Sequence, residues 1–277
     1  IHMVVFQALT WEARDVEGEH LISIFGKTEE GKSICVTTTF DQYFFVKLPK
    51  GTKPTDVTRL YNDINALRKD HVTSYSLTKQ KDVWGFQNNE EFYFMHLNFK
   101  TLEARRKVNS IFMYNNDFKK YHVYESNIDP VLRLMHRTGI QSTGWLDTGP
   151  NCVRSHLAKT DIDLWCNDWC TLTPVERDDI APFVVASFDI ECNSSTGKFP
   201  DADVPEDACF QIAISLCKFG SEEPYDKTCL CYKKTDPNLE GSNVISFDTE
   251  REMLLAFKDY MNKQDIDIMT GWNIFGF

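Results

Sequence analysis

The sequence has no apolar run approaching the roughly 18 to 20 residues that span a bilayer. Its first residues, Ile1-His2-Met3-Val4, lack the basic flank and apolar stretch of a secretion signal, and Ile1-His2 ahead of Met3 reads as a cloning remnant. These absences lead to the expectation of a soluble, intracellular protein with no membrane partner. Ordered cysteine spacing is missing too. Nine cysteines, at Cys35, Cys152, Cys166, Cys170, Cys192, Cys209, Cys217, Cys229 and Cys231, form an odd and scattered set. Such a set argues against a disulfide framework and for free thiols in a reducing compartment. Cys166 and Cys170, with Cys152 and His156 upstream, come nearest to a metal-ligand set. Their spacing fits no common zinc knuckle, so ordinary core thiols are expected. Nor is there a basic excess: 30 basic side chains face 41 acidic ones. Residues 1–177 balance at 22 and 22, whereas residues 178–277 carry 8 and 19, so the whole net charge of −11 lies in the last hundred residues. An acidic segment repels phosphate, so nucleic acid would bind there only through cations or through basic surface elsewhere.

What is present is enough apolar material, 42% of 277 residues, for two cores. Strands are expected over Val4–Leu9, Leu21–Gly26 and Ser33–Thr38, with Glu29-Glu30-Gly31-Lys32 as a turn. The aromatic segment Phe40–Pro49 is another strand, of a kind that fills a core or stacks bases. A helix over Thr55–Lys69 places Val57, Leu60, Ile64 and Leu67 on one face. The strand Glu91–Phe99 leads into a helix over Thr101–Tyr114. After Tyr121 a short strand meets a helix capped by Ser126, Asn127 or Asp129, with Pro130 in its first turn. Strands follow at Trp145–Leu146 and over Asp161–Thr173, and the Pro- and acid-rich stretch Thr173–Pro182 reads as a connection. The fold class expected is α+β, with a mixed α/β domain over residues 3–175 and a second domain over 182–277.

The second domain opens with Phe183–Phe188, a nearly continuous apolar run that reads as a central strand covered on both faces. A polar loop over Asn193–Asp207, strands over Phe210–Phe219 and Cys229–Lys233, a helix over Thr249–Lys263 and a strand over Asp265–Met269 complete it. Thr249 and Glu252 form a capping box for that helix. Strands, a helix and a further strand is the order of ribonuclease-H-like nucleases. In the first strand, Asp189 and Glu191 project to one side while Ile190 packs on the other. Two carboxylates about 6 to 7 Å apart on one strand face suit hard divalent cations such as Mg²⁺ or Mn²⁺. Two such ions can activate water and stabilise a leaving 3′ oxygen in phosphodiester hydrolysis. Ionised groups at the end of a buried strand would also be costly without such compensation.

Ser187-Phe188-Asp189-Ile190-Glu191-Cys192 resembles the first exonuclease motif of family B DNA polymerases, and Gly271-Trp272-Asn273-Ile274-Phe275-Gly276-Phe277 resembles the second. Tyr124-Glu125-Ser126-Asn127-Ile128, Leu132-Arg133-Leu134-Met135, Gly139 through Leu146, Gly197-Lys198-Phe199-Pro200 and Gln211-Ile212-Ala213 are similar to delta-type replicative polymerases of eukaryotes and their large DNA viruses. Tyr43-Phe44-Phe45-Val46 resembles the amino-terminal aromatic strand of that group. The resemblance covers most of the chain and points to a large eukaryotic DNA virus as source, hence to a host nucleus or a cytoplasmic viral factory.

The resemblance implies a polymerase amino-terminal domain followed by the first part of a ribonuclease-H-like 3′-to-5′ exonuclease domain. Asp189 and Glu191 would then be catalytic metal ligands for Mg²⁺ or Mn²⁺, and Asn273 and Phe277 would hold the unpaired 3′ end of a DNA primer. The parent enzyme would take primer-template DNA and deoxynucleoside triphosphates, and a sliding clamp as a possible partner. Some relatives carry a threonine that touches DNA where this chain has Cys192. The family carries a third carboxylate directly after the position of Phe277 and a fourth later, so a fragment without nuclease or polymerase activity of its own is expected. The rival reading is a non-catalytic module that grips single-stranded nucleic acid or a partner protein through Phe40–Val46 and Arg105, Arg106, Lys107, Lys119 and Lys120.

Overall fold

The computed structural model describes residues 3–237 and 240–274, and the chain divides into two compact units at Arg177/Asp178. The first unit comprises β1 (Val5–Val16), β2 (Glu19–Thr28), β3 (Ser33–Thr39), β4 (Gln42–Lys47), α1 (Pro54–Leu67), β5 (Ser74–Lys81), β6 (Glu91–Phe99), α2 (Leu102–Tyr114), β7 (His122–Tyr124), α3 (Pro130–Thr138), β8 (Trp145–Asp147), β9 (Cys152–Arg154), β10 (Ile162–Cys166) and β11 (Thr173–Val175). They build a seven-stranded sheet in the order β11-β8-β1-β2-β3-β10-β9 and a four-stranded sheet in the order β5-β6-β4-β7. Helices α1 and α2 close the core of the smaller sheet, where Val57, Leu60 and Ile64 meet Phe44, Leu97, Phe99 and Phe112. Leu67, expected on that buried face, is 43% exposed, because the last residue of α1 has run past its packing partners. Asp129 is the cap of α3, its carboxylate accepting from the Val131 and Leu132 N–H groups.

The aromatic strand β4 is core on one face: Phe44 and Val46 are fully buried, as is nearby Phe40. On its other face Phe45 stacks on His96, and the Arg133 guanidinium lies 3.9 Å from the Tyr43 ring centre. Arg105, counted above among surface cations, is a correction. It sits on the inner face of α2, 3% exposed, and donates to Gln42 Oε1 at 3.1 Å. Arg106, Lys107, Lys119 and Lys120 are exposed. The single strand expected over Asp161–Thr173 is instead β10, a turn, and β11. The Asp168 carboxylate accepts from the Cys170 N–H at 2.9 Å and bends the chain between them. Cys152 and Cys166 oppose each other on β9 and β10 as buried thiols, while Cys170 is exposed.

The second unit comprises β12 (Val184–Cys192), β13 (Cys209–Lys218), β14 (Asp226–Tyr232), β15 (Asn243–Phe247), α4 (Glu250–Lys263) and β16 (Ile268–Thr270). Its sheet order is β15-β14-β13-β12-β16, with β16 parallel to β12. The capping box of α4 is formed: Thr249 Oγ1 accepts from the Glu252 N–H, and the Glu252 carboxylate accepts from the Thr249 N–H. Met253, Phe257, Tyr260 and Met261 of α4 pack on Ala186, Phe188, Ile212, Ile214 and Leu230 of the sheet. No helix among the described residues is long and apolar enough to cross a membrane.

Candidate active site

Strand β12 positions the carboxylate pair. It lies inside the sheet between β13 and β16, and its start is pinned by Asp267, whose carboxylate accepts from the Val184 N–H at 2.7 Å. Ala186 and Phe188 point to α4, with the Phe188 and Phe257 rings 5.5 Å apart. Ser187, Asp189 and Glu191 alternate with them and are exposed.

Coverage on both faces, expected from the apolar run, is therefore not what the unit has. The only helix among its described residues packs on one face; on the opposite face Ser187, Asp189 and Glu191 of β12 are exposed, while Cys229 and Cys231 of β14 are buried. Ile190 is 40% exposed rather than packed. The argument from burial accordingly falls away, because neither carboxylate is buried. What replaces it is a lack of neutralisation: among the described residues, Asp189 and Glu191 form no ion pair with any cationic side chain. Asp189 Oδ1 accepts only from the Ile190 N–H, at 3.0 Å. These are free, hard oxygen donors, and that donor set fits a divalent cation. No group of three or more His, Cys, Asp or Glu side chains that could hold a metal ion forms among the described residues.

Two hollows flank β12. Asp189 lines a cleft of about 450 Å³ over the open sheet face, together with Ser187, Ser215, Lys227 and Trp272. Glu191 lines a second hollow of about 640 Å³, walled by Ile190, Phe199, Pro200 and Leu254. The loop between β12 and β13 that walls it is tied down by Asp207. The buried Asp207 carboxylate accepts from the Ser195 N–H at 2.6 Å and the Asp201 N–H at 3.1 Å. Hydrogen bonds from Ser195, side chain and backbone, hold Asp207 below the ordinary carboxylate range.

The second motif reaches the same region. Gly271 runs against the backbone of β12 at Phe188, and Asn273 adopts a left-handed φ of 54°, a conformation that asparagine tolerates better than most residues. Asn273 is exposed just past the end of β16. Phe277 lies outside the described residues. Sequence reasoning passed over Trp272 as a site residue, although its indole is 85% exposed and forms part of the Asp189 cleft. Its signal was a large aromatic beside a turn rather than in an apolar run. Lys227, the cation of that cleft, gave no signal at all.

A family model described as DNA polymerase family B, exonuclease domain, matches residues 121–277. The chain is 31% identical, over 98% of its length, to the DNA polymerase of Paramecium bursaria Chlorella virus NY2A, of which it covers 30%. It is 29% identical over 98% of its length to the DNA polymerase of Acanthamoeba polyphaga mimivirus, covering 17% of that protein. Against the DNA polymerase delta catalytic subunit of Oryza sativa subsp. japonica the identity is 28% over 92% of this chain and 25% of that one. The chain thus spans less than a third of the length of these relatives. The solved family B DNA polymerase of the hyperthermophilic archaeon Pyrobaculum calidifontis shares the fold, with a TM-score of 0.69 at 19% identity over 99% of this chain and 31% of that one.

Proposed function

The chain belongs to the exonuclease-domain family of the family B DNA polymerases, and from that premise we propose that Asp189 and Glu191 serve a 3′-to-5′ proofreading exonuclease acting on the single-stranded 3′ end of DNA. The observation that carries this reading is the placement of both carboxylates on one open face of β12 with no cationic partner among the described residues. Residues 3–175 then constitute a polymerase amino-terminal domain, and residues 182–277 the ribonuclease-H-like exonuclease region.

Exonuclease domains of this family are generally metal-dependent. Asp189 and Glu191 would hold Mg²⁺ or Mn²⁺, which when bound supplies an activated water and charge stabilisation for the leaving 3′ oxygen. The protein's own contribution is positional. The Ile190 N–H fixes one oxygen of Asp189 and leaves the other free. Trp272 offers an aromatic face at the rim of the cleft, and the Asn273 amide can both donate to and accept from a nucleotide. Phe277 is assigned to the same 3′ end. Lys227 places a positive charge in the Asp189 cleft of a unit that is acidic on balance, where a phosphate can use it. Template-directed synthesis from deoxynucleoside triphosphates, and contact with a sliding clamp, belong to this reading at the level of the whole enzyme.

The test is binding of a short fluorescent oligodeoxynucleotide with a free 3′ hydroxyl. Anisotropy should rise when Mn²⁺ is added to the purified chain and should not rise with Asp189→Asn or Glu191→Gln. Binding that is indifferent to Mn²⁺ and to both substitutions would sink the proposal. The rival surface module is disfavoured by the burial of Arg105, Phe40 and Phe44.

A further inference from the structure

Cys192 and Cys209 face each other across the antiparallel pair β12–β13, directly beyond a bulge that falls between Glu191 and Cys192. Opposed residues on antiparallel strands have Cα atoms about 4.5 to 5.5 Å apart, inside the window of roughly 4.4 to 6.8 Å that a disulfide spans. The register makes these two cysteines direct cross-strand partners. Both are half-buried and both line the 640 Å³ hollow that opens beside Glu191, so a small oxidant has access.

The other thiol contacts lack one of these properties. Cys152 and Cys166 are opposed on β9 and β10 but 1% and 0% exposed. Cys229 and Cys231, with sulfurs 3.6 Å apart, are buried and lie two residues apart on a single strand. We propose that Cys192 and Cys209 form a reversible disulfide that fastens the end of β12.

With glutathione disulfide as oxidant, the Cys192 sulfur attacks one sulfur of the reagent and releases one glutathione, leaving a mixed disulfide. The Cys209 sulfur then attacks the Cys192 sulfur and releases the second glutathione. The two thiol protons leave with the two glutathione molecules, so one protein disulfide forms as one reagent disulfide is reduced. Because Glu191 immediately precedes Cys192, the bond stiffens the strand end that carries a carboxylate of the proposed site. Formation of the bond does not depend on that carboxylate's role.

The experiment treats the reduced 277-residue chain with glutathione disulfide, alkylates the remaining thiols, digests after Lys and Arg, and weighs the peptides. The expected product joins the peptide over residues 178–198 to that over 199–218, is absent from Cys192→Ser and Cys209→Ser, persists in Cys217→Ser, and reverts with dithiothreitol. The oxidised chain should also melt about 4 °C or more above the reduced one. Full alkylation of Cys192 and Cys209 after oxidation overturns the proposal. So does a cross-link that persists in Cys209→Ser, or one that forms without raising the melting temperature. The serine variants report on their own folding through the melting temperature of their reduced forms.

Discussion

The backbone at Gly271 passes so close to β12 that a Cβ there would lie 2.4 Å from the carbonyl oxygen of Phe188. It would also lie 2.7 Å from Cγ2 of Ile274. Only a residue without a side chain lets the second motif lie against the strand that carries Asp189. Gly271→Ala should therefore cost about 1 to 3 kcal/mol, the usual range for overpacking, since a backbone carbonyl cannot swing aside as a side chain can. Urea unfolding followed by tryptophan emission checks this. An unchanged midpoint together with an unchanged native spectrum would show that the close approach is not a constraint.

A second prediction concerns Asp82, at the start of the β5–β6 connection. Burial pushes its pKa up, but hydrogen bonds from the Lys47 ammonium, the Trp84 N–H and the Tyr124 hydroxyl outweigh that and hold it at about 2. A carboxylate depressed in the folded state adds stability above its unfolded pKa of 3.8, and that stability is lost as pH falls through the folded value. The melting temperature should accordingly fall between about pH 4 and pH 2, and fall less steeply in Asp82→Asn. Identical slopes for the two proteins would remove Asp82 from the acid response. The exposed side chains Val83, Trp84 and Phe86 follow directly, so Trp84 emission reports whether the connection loosens in the same pH window.

The strands that sequence reading missed have a common physical cause. Ser74–Lys81, Cys152–Arg154 and Asn243–Phe247 lie at sheet edges, as does Thr173–Val175, which was placed in a connecting segment. An edge strand can pair on one side only and bury little, so it carries neither strong alternation nor an apolar run. Ser74–Lys81 shows this best, with its residues exposed apart from two half-buried ones, Tyr75 and Thr78. Pro174 sits in β11 at no cost to the ladder for the same reason. Where burial is heavy the signal was strong: Glu91–Phe99 was legible to the residue, as was the Thr249/Glu252 box. For the site, alternation was enough to put Asp189 and Glu191 on one face. Which face was open was not legible, because Phe183–Phe188 reads as a nearly continuous apolar run in which Ser187 alone marks the exposed side.

Arg105 separates fold from surface charge. It is buried on α2 beside Gln42, and burial together with the neighbouring Arg133 pulls its pKa down to about 10. Arg105→Glu should cost at least about 3 kcal/mol, because the shorter, acceptor-only carboxylate cannot donate to Gln42 Oε1 and leaves two acceptors facing each other in a buried site. Arg106→Glu, one residue on and exposed, should stay within about 0.5 kcal/mol of the parent. Guanidinium unfolding of both variants reads the difference. Equal stability would return Arg105 to the surface.

The capping box yields a smaller and sharper number. Thr249 Oγ1 satisfies the Glu252 N–H at 3.2 Å, one of the donors that the first turn of a helix leaves open. Thr249→Ala should cost about 1 kcal/mol, and Thr249→Ser should recover most of it. Matching losses in the alanine and serine variants would place the cost in the threonine methyl group rather than in the cap.

Trp272 gives the prediction that bears most directly on the proposed exonuclease. At 85% exposure its indole packs against little, so Trp272→Ala should leave the unfolding midpoint within about 0.5 kcal/mol of the parent. Stacking of a base on an aromatic side chain contributes about 1 to 3 kcal/mol. The same substitution should therefore weaken Mn²⁺-dependent binding of a single-stranded 3′ end by roughly fivefold to a hundredfold. Trp272→Phe should restore much of that loss, because a phenyl ring keeps a π-face while removing the indole N–H. Restoration by Phe but not by Leu assigns the contact to stacking, whereas equal rescue by both assigns it to apolar bulk at the rim of the Asp189 cleft.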